Sequence, residues 1–117
     1  MGNIPAAKQS PRIENGVLHW YAGDTFTIYL EFELEDQDGE EVILGENDIA
    51  KIEFFDSKED TVKVFEFESP NGNTVGLVFD KETTELFPKG RYRYNAVITL
   101  GDIDITTIAY SNTAEVE

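Results

Sequence analysis

Leu86-Phe87-Pro88-Lys89-Gly90-Arg91-Tyr92-Arg93-Tyr94-Asn95-Ala96-Val97-Ile98-Thr99-Leu100 is the stretch on which the fold turns. Pro88 and Gly90 mark a tight corner. Beyond it Tyr92, Tyr94, Ala96, Ile98 and Leu100 share one parity, while Arg91, Arg93, Asn95 and Thr99 take the other, with Val97 the one apolar exception. Period two over so many residues predicts a long strand with one buried face. Gly101-Asp102 reads as a two-residue turn into a second alternating run, Ile103, Ile105, Thr107 and Ala109. That turn would set Leu100 opposite Ile103 and Ile98 opposite Ile105, both apolar sets facing one core.

Working outward, the same period recurs. From Thr25 to Glu35, Phe26, Ile28, Leu30, Phe32 and Leu34 alternate with Thr27, Tyr29, Glu31, Glu33 and Glu35, the pattern of a half-buried antiparallel strand. Arg12 to Tyr21 predicts a first strand interrupted at Asn15-Gly16, with Leu18 and Trp20 on one face. Ile52 and Phe54 are expected core positions of another strand, and Val75, Leu77 and Phe79 of a third. Val62 to Phe67 has mixed parity that a bulge near Val64 would reconcile. Asp80 to Leu86 predicts one helical turn with Asp80 as its N-cap. Ser111-Asn112 breaks the last run, and Ala114 and Val116 are expected on a final edge strand. Residues 1–11, with two prolines and few large apolar side chains, predict a flexible N-terminal arm.

About seven short strands over roughly a hundred residues, spaced by turn signals and without an amphipathic helix, predict an all-β, antiparallel immunoglobulin-like β-sandwich over residues 12–117. Tyr92 or Tyr94, just after the corner, stands where such folds place a tyrosine whose hydroxyl reaches back to the backbone.

The chain has 117 residues, 40% hydrophobic and 28% charged, an ordinary balance for one folded domain. Its net charge of −15 disfavours nucleic acid and anionic membrane as partners, and serves either solubility or a basic protein partner. With no cysteine, disulfides, thiolate nucleophiles and zinc–cysteine sites are excluded. No apolar run approaches membrane-spanning length.

Little in the sequence carries catalysis or a cofactor. His19 is the lone histidine, set between Leu18 and Trp20 in a strand pattern, and no nucleophile elbow or phosphate-cradling glycine loop occurs. No catalytic, metal or cofactor residues are therefore assigned. Asp36, Asp38 and Glu40 resemble the start of a calcium loop, but Gly39 falls too early and no helices flank it, so a hairpin turn is the expectation. Glu31, Glu33 and Glu35 need solvent or a basic strand, for which Arg91 and Arg93 are candidates. On the back of the closing hairpin, Val97, Ile108 and Tyr110, joined by Phe55, form an expected apolar–aromatic interface; a bulge near Thr107 that returns Ile108 to the core is the alternative.

Three signatures taken together carry a resemblance: Gly23-Asp24-Thr25 opening the long strand, Asp36-Gln37-Asp38-Gly39 ending it, and Leu86-Phe87-Pro88-Lys89-Gly90-Arg91-Tyr92-Arg93-Tyr94 before the last hairpin. Their order resembles the N-terminal immunoglobulin-like domain of phage baseplate upper proteins, over about Val17 to Val116. Pro88-Lys89-Gly90 departs slightly from that family's corner, and the chain stops at Glu117 where the family domain continues. The resemblance implies a non-enzymatic assembly module of a phage or prophage tail, made in the bacterial cytoplasm and carried in the virion. Its partners would be other tail or baseplate proteins or further copies of itself. The rival expectation is a carbohydrate- or surface-binding immunoglobulin-like module.

Overall fold

A computed structural model describes residues 10–101 and 105–117, with only the backbone over 105–111. Eight strands and one helical turn follow in order: β1 (Arg12–Glu14), β2 (Val17–Trp20), β3 (Phe26–Glu31), β4 (Ile49–Phe55), β5 (Thr61–Glu68), β6 (Thr74–Phe79), α1 (Lys81–Thr84), β7 (Gly90–Leu100) and β8 (Ile105–Val116). They form a six-stranded sheet, ordered β1-β2-β8-β7-β4-β5, and a two-stranded sheet of β3 and β6. All pairings are antiparallel except β2 with β8, which is parallel. The chain is thus all-β, with two sheets packed on one core.

Alternation decides which residues fill that core. Leu18 and Trp20 of β2, Ala50, Ile52 and Phe54 of β4, Tyr92, Tyr94, Ala96 and Ile98 of β7, and Ala114 and Val116 of β8 are buried from the large sheet. Val75, Leu77 and Phe79 of β6 meet them from the small one. Trp20 is at the centre, its ring 5.6 Å from Phe26, 5.2 Å from Phe79 and 5.5 Å from Phe87, in tilted or edge-on geometries that suit the ring quadrupoles. Phe54 stacks on Tyr94 at 5.0 Å. The buried hydroxyl of Tyr92 donates to the carbonyl of Pro88, tying the corner to the start of β7, and burial pushes its pKa up. α1 is the expected single turn, capped by the Asp80 carboxylate, which accepts from the Thr83 amide.

Several expectations change in detail. Asn15 and Gly16, with φ of 53° and 77°, form a two-residue turn that makes the first strand a hairpin, β1–β2. The closing hairpin pairs Leu100 with Ile105 and Ile98 with Thr107, two residues out from the expected register. The expected position of Ile103 lies outside the described residues, as does the arm over residues 1–9. β8 runs unbroken through Ser111-Asn112 and lies inside the sheet, between β2 and β7, not at its edge. The irregularity in β5 is at Val62, where Phe54 pairs with Lys63 but Phe55 with Thr61. Beyond it Phe65 and Phe67 are half-buried toward the core and Val64 faces out, 40% exposed. Between β3 and β4 the chain is held by side chains: Asn73 accepts from the Leu44 amide and donates to the Val42 carbonyl. Asp48 accepts from the amides of Gly45 and Gly101. A Cβ on Gly101 would come within 2.0 Å of the Asn47 carbonyl oxygen, so only glycine fits that approach.

Candidate functional site

The outward parity of the large sheet assembles the surface on which most expected contact residues fall. In β4 it presents Ile49, Lys51, Glu53 and Phe55, all half-buried by their neighbours. Opposite them in β7 stand Thr99, Val97, Asn95 and Arg93, and in β5 Glu68, Glu66, Val64 and Thr61. Arg12, Glu14, Val17 and His19 extend the surface across β1 and β2, with Glu115 and Arg91 between them and the centre.

Ion pairs order this face. The Arg93 guanidinium lies 4.5 Å from the Phe55 ring centroid, donates to the Asn95 amide oxygen at 2.8 Å and pairs with the Glu59 carboxylate. Its hydrogen bond holds the Glu59 carboxyl below its ordinary pKa and raises that of Arg93. Lys51 approaches Glu66 at 3.8 Å and Arg91 approaches Glu115 at 3.7 Å. Arg12 binds Glu14 at 2.9 Å and also reaches Glu117, whose Oε1 lies 3.6 Å from His19 Nδ1. Arg91 and Arg93 therefore answer acids of their own sheet and the β4–β5 loop, not Glu31, Glu33 or Glu35 of β3. The reason is topological, since β3 belongs to the other sheet.

Charge is divided unevenly between the sheets and the loops. Arg12, Lys51, Arg91 and Arg93 give the outer face four of the chain's nine Lys and Arg residues. They stand against Glu14, Glu53, Glu66, Glu68, Glu115 and Glu117, which leaves the face at about −2, close to neutral beside a chain of net charge −15. From residue 32 to residue 48 the chain has eight Asp and Glu and no Lys or Arg, so the loops between β3 and β4 carry much of the excess, while β3 and β6 together have only Glu31. Among the described residues, no group of three or more His, Cys, Asp and Glu side chains is placed to hold a metal ion. Asp36 spends its carboxylate on the backbone amides of Asp38 and Glu40.

The four expected contact residues separate into two sets. Val97 and Phe55 share the outer face, half-buried, Val97 beside Lys51 and Phe55 beside Arg93. A register shift between Ala96 and Val97 sets Ile108 opposite Val97 but Tyr110 opposite Ala96, a buried position. Ala109 is the extra residue, so Ile108 and Tyr110 take opposite parities relative to β7; their side chains lie outside the described residues. Sequence reading missed Ile49 and the balance of charge on the outer face, since both depend on which strands are neighbours. No family model, curated protein or solved structure matches this chain.

Proposed function

We propose that this domain is a non-enzymatic assembly module, an immunoglobulin-like β-sandwich of a phage or prophage tail or baseplate that works through protein contacts. The observation that carries the contact reading is the near-neutral outer face of the large sheet, with Ile49, Phe55 and Val97 among paired charges, on a chain of net charge −15. Ion pairing of Arg12, Lys51, Arg91 and Arg93 lowers the cost of bringing such a face against a partner, while the acidic remainder discourages indiscriminate association. Support for the immunoglobulin-like topology comes from the parallel β2–β8 pair, the β8-β7-β4-β5 order, the β3–β6 pair across the core and the Tyr92–Pro88 bond, a tyrosine corner. Placement in a phage tail rests on the resemblance carried by Gly23-Asp24-Thr25, Asp36-Gln37-Asp38-Gly39 and Leu86–Tyr94.

Co-elution and pull-down with the proteins encoded beside it test this reading. Val97→Asp is expected to weaken capture about tenfold, the effect of one unpaired charge buried at a contact. Lys51→Glu, at a more exposed position, should weaken it less and leave the melting temperature nearly unchanged. One observation favours the glycan-binding alternative: Tyr29 is 73% exposed on the small sheet, its ring lying over Gly76, where a Cβ would meet it at 3.0 Å. A monomer that captures none of the neighbours, yet binds an oligosaccharide array in a Tyr29-dependent manner, replaces assembly with glycan binding.

A further inference from the structure

The large sheet ends on β5 and the small sheet on β6, and among the described residues no strand covers the flank between them. A cleft of about 380 Å³ runs there, lined by Phe65, Phe67, Gly76 and Val78, with Lys63 and Asp80 among its walls. Val78 is 56% exposed and Val64 40%.

The register determines which backbone groups this edge offers. The Ser69 amide donates to the Asp48 carbonyl at 2.9 Å, and the next pair along is Ile49 with Glu68. In an antiparallel ladder hydrogen-bonded and non-hydrogen-bonded pairs alternate. Phe67, Phe65 and Lys63 therefore turn their N–H and C=O toward β4, whereas Glu68, Glu66 and Val64 turn theirs away, to the open edge. Past the irregularity at Val62 this edge has neither proline nor bulge, the devices that commonly blunt an edge strand, and Lys63 is its only cation.

Charge specifies what would cover it. The residues whose backbone is free also form the outer side-chain row, Val64, Glu66 and Glu68. Glu66 has only the 3.8 Å contact with Lys51, and Glu68 makes no ion pair among the described residues. We propose that β5 accepts an extended segment of a partner protein in which apolar and basic residues alternate, added as a seventh strand of the large sheet. Its apolar side chains enter the cleft against Phe65, Phe67 and Val78, and its Lys or Arg side chains stand beside Glu66 and Glu68. A second copy of β5 fits less well, because it would bring the same two glutamates into one outer row and join two chains each of net charge −15. The proposal rests on the reading of the domain as a contact module, but uses an edge that Val97→Asp leaves intact.

Residue-resolved amide exchange by NMR tests it with an end-blocked Val-Lys-Val-Lys-Val-Lys-Val peptide, and the Val-Glu-Val-Glu-Val-Glu-Val peptide as control. At saturating Lys peptide, exchange at Val64, Glu66 and Glu68 is expected to slow about tenfold or more, while Lys63, Phe65 and Phe67 stay as protected as before. The Glu peptide should leave all six unchanged, and Glu66→Lys with Glu68→Lys should reverse the preference. Lack of protection at the three edge amides overturns the proposal, as does equal protection by both peptides. Protection at Thr74, Gly76 and Val78 instead would assign the strand to β6, and protection that rises with protein concentration alone would assign a second copy; either overturns it. Val97→Asp should not alter the peptide effect, so failure of the outer-face reading and failure of the edge are separately visible.

Discussion

Two loops of this protein are built on one plan, at Asp36–Glu40 and Asp56–Asp60. In each, the leading aspartate accepts from the amides two and four residues on, Asp38 and Glu40 in the first, Lys58 and Asp60 in the second. In each, the backbone closes in the same two places: Asp36 N–H to Glu40 and Gly39 N–H to Asp36, Asp56 N–H to Asp60 and Glu59 N–H to Asp56. The fourth residue is left-handed in both, Gly39 at φ 80° and Glu59 at φ 65°. Yet the first loop closes only an isolated bridge, Glu35 with Glu41, and the second joins two full strands. Identical turn chemistry thus yields a hairpin of any length only where the side chains beyond it have a core to enter. Phe54 beside the second loop is fully buried, whereas Leu34 beside the first is half-buried.

The two loops should differ most at those two side chains. Phe54→Ala should cost about 3–5 kcal/mol, the usual range for aromatic truncation in a core, since it removes ring contacts to Trp20, Phe65, Phe79, Phe87 and Tyr94. Leu34→Ala should cost clearly less. Urea denaturation gives both, and equal losses would mean that the first hairpin is as deeply rooted as the second.

A smaller effect separates the loop heads. Asp36→Ala and Asp56→Ala each remove one acceptor for two amides, worth about 1 kcal/mol locally. Only Asp56→Ala should lower the global unfolding midpoint by that amount. Asp36→Ala should appear chiefly as faster amide exchange at Asp38, Gly39 and Glu40, because a bridge so short can open by itself.

The smallest effect concerns the residue at positive φ. Glu59 offsets its unfavourable backbone by pairing with Arg93, and that pairing depresses its carboxyl pKa. A depressed carboxylate contributes stability that is present above its unfolded pKa and is lost as pH falls through the folded value. Arg93→Gln should therefore flatten the stability profile as pH falls below about 5, through the unfolded carboxyl range at about 4.3 and beneath it, and only slightly, because the pair is solvent-exposed. Asp80, whose carboxyl is also depressed by the Thr83 amide, titrates in the same direction in both proteins and cancels in their difference.

How much of this was legible in the chain follows from what period two can encode. Parity alone identified the core faces of β2, β4, β6 and β7, and turn residues located the Asp36 loop and the cap at Asp80. The closing hairpin was misplaced by two residues because a shift of two keeps every side chain on its own face, leaving the apolar pattern unchanged. The bulge weighed near Thr107 lies instead at Ala109, leaving Ile108 opposite Val97, because one inserted residue in a run of Ile, Thr, Ala and Tyr breaks parity without a glycine or proline to mark its place. Strand order was not legible at all. Whether Glu66 lies mid-sheet or on an edge depends on which strands stop where, and no local residue carries that information.

The parallel pairing of β2 with β8 joins Leu18 to Ala114, almost the whole chain apart. Bringing together two points so distant in sequence costs about 4 kcal/mol of chain entropy on the logarithmic loop-closure scaling, against far less for the β4–β5 hairpin. Such a contact is a poor nucleus and a good seal: it becomes favourable once β4, β5 and β7 have already drawn the chain together. The β2–β8 pair is therefore expected to form late, and the domain belongs with the slow, non-local β architectures rather than with proteins whose contacts are mostly between neighbours.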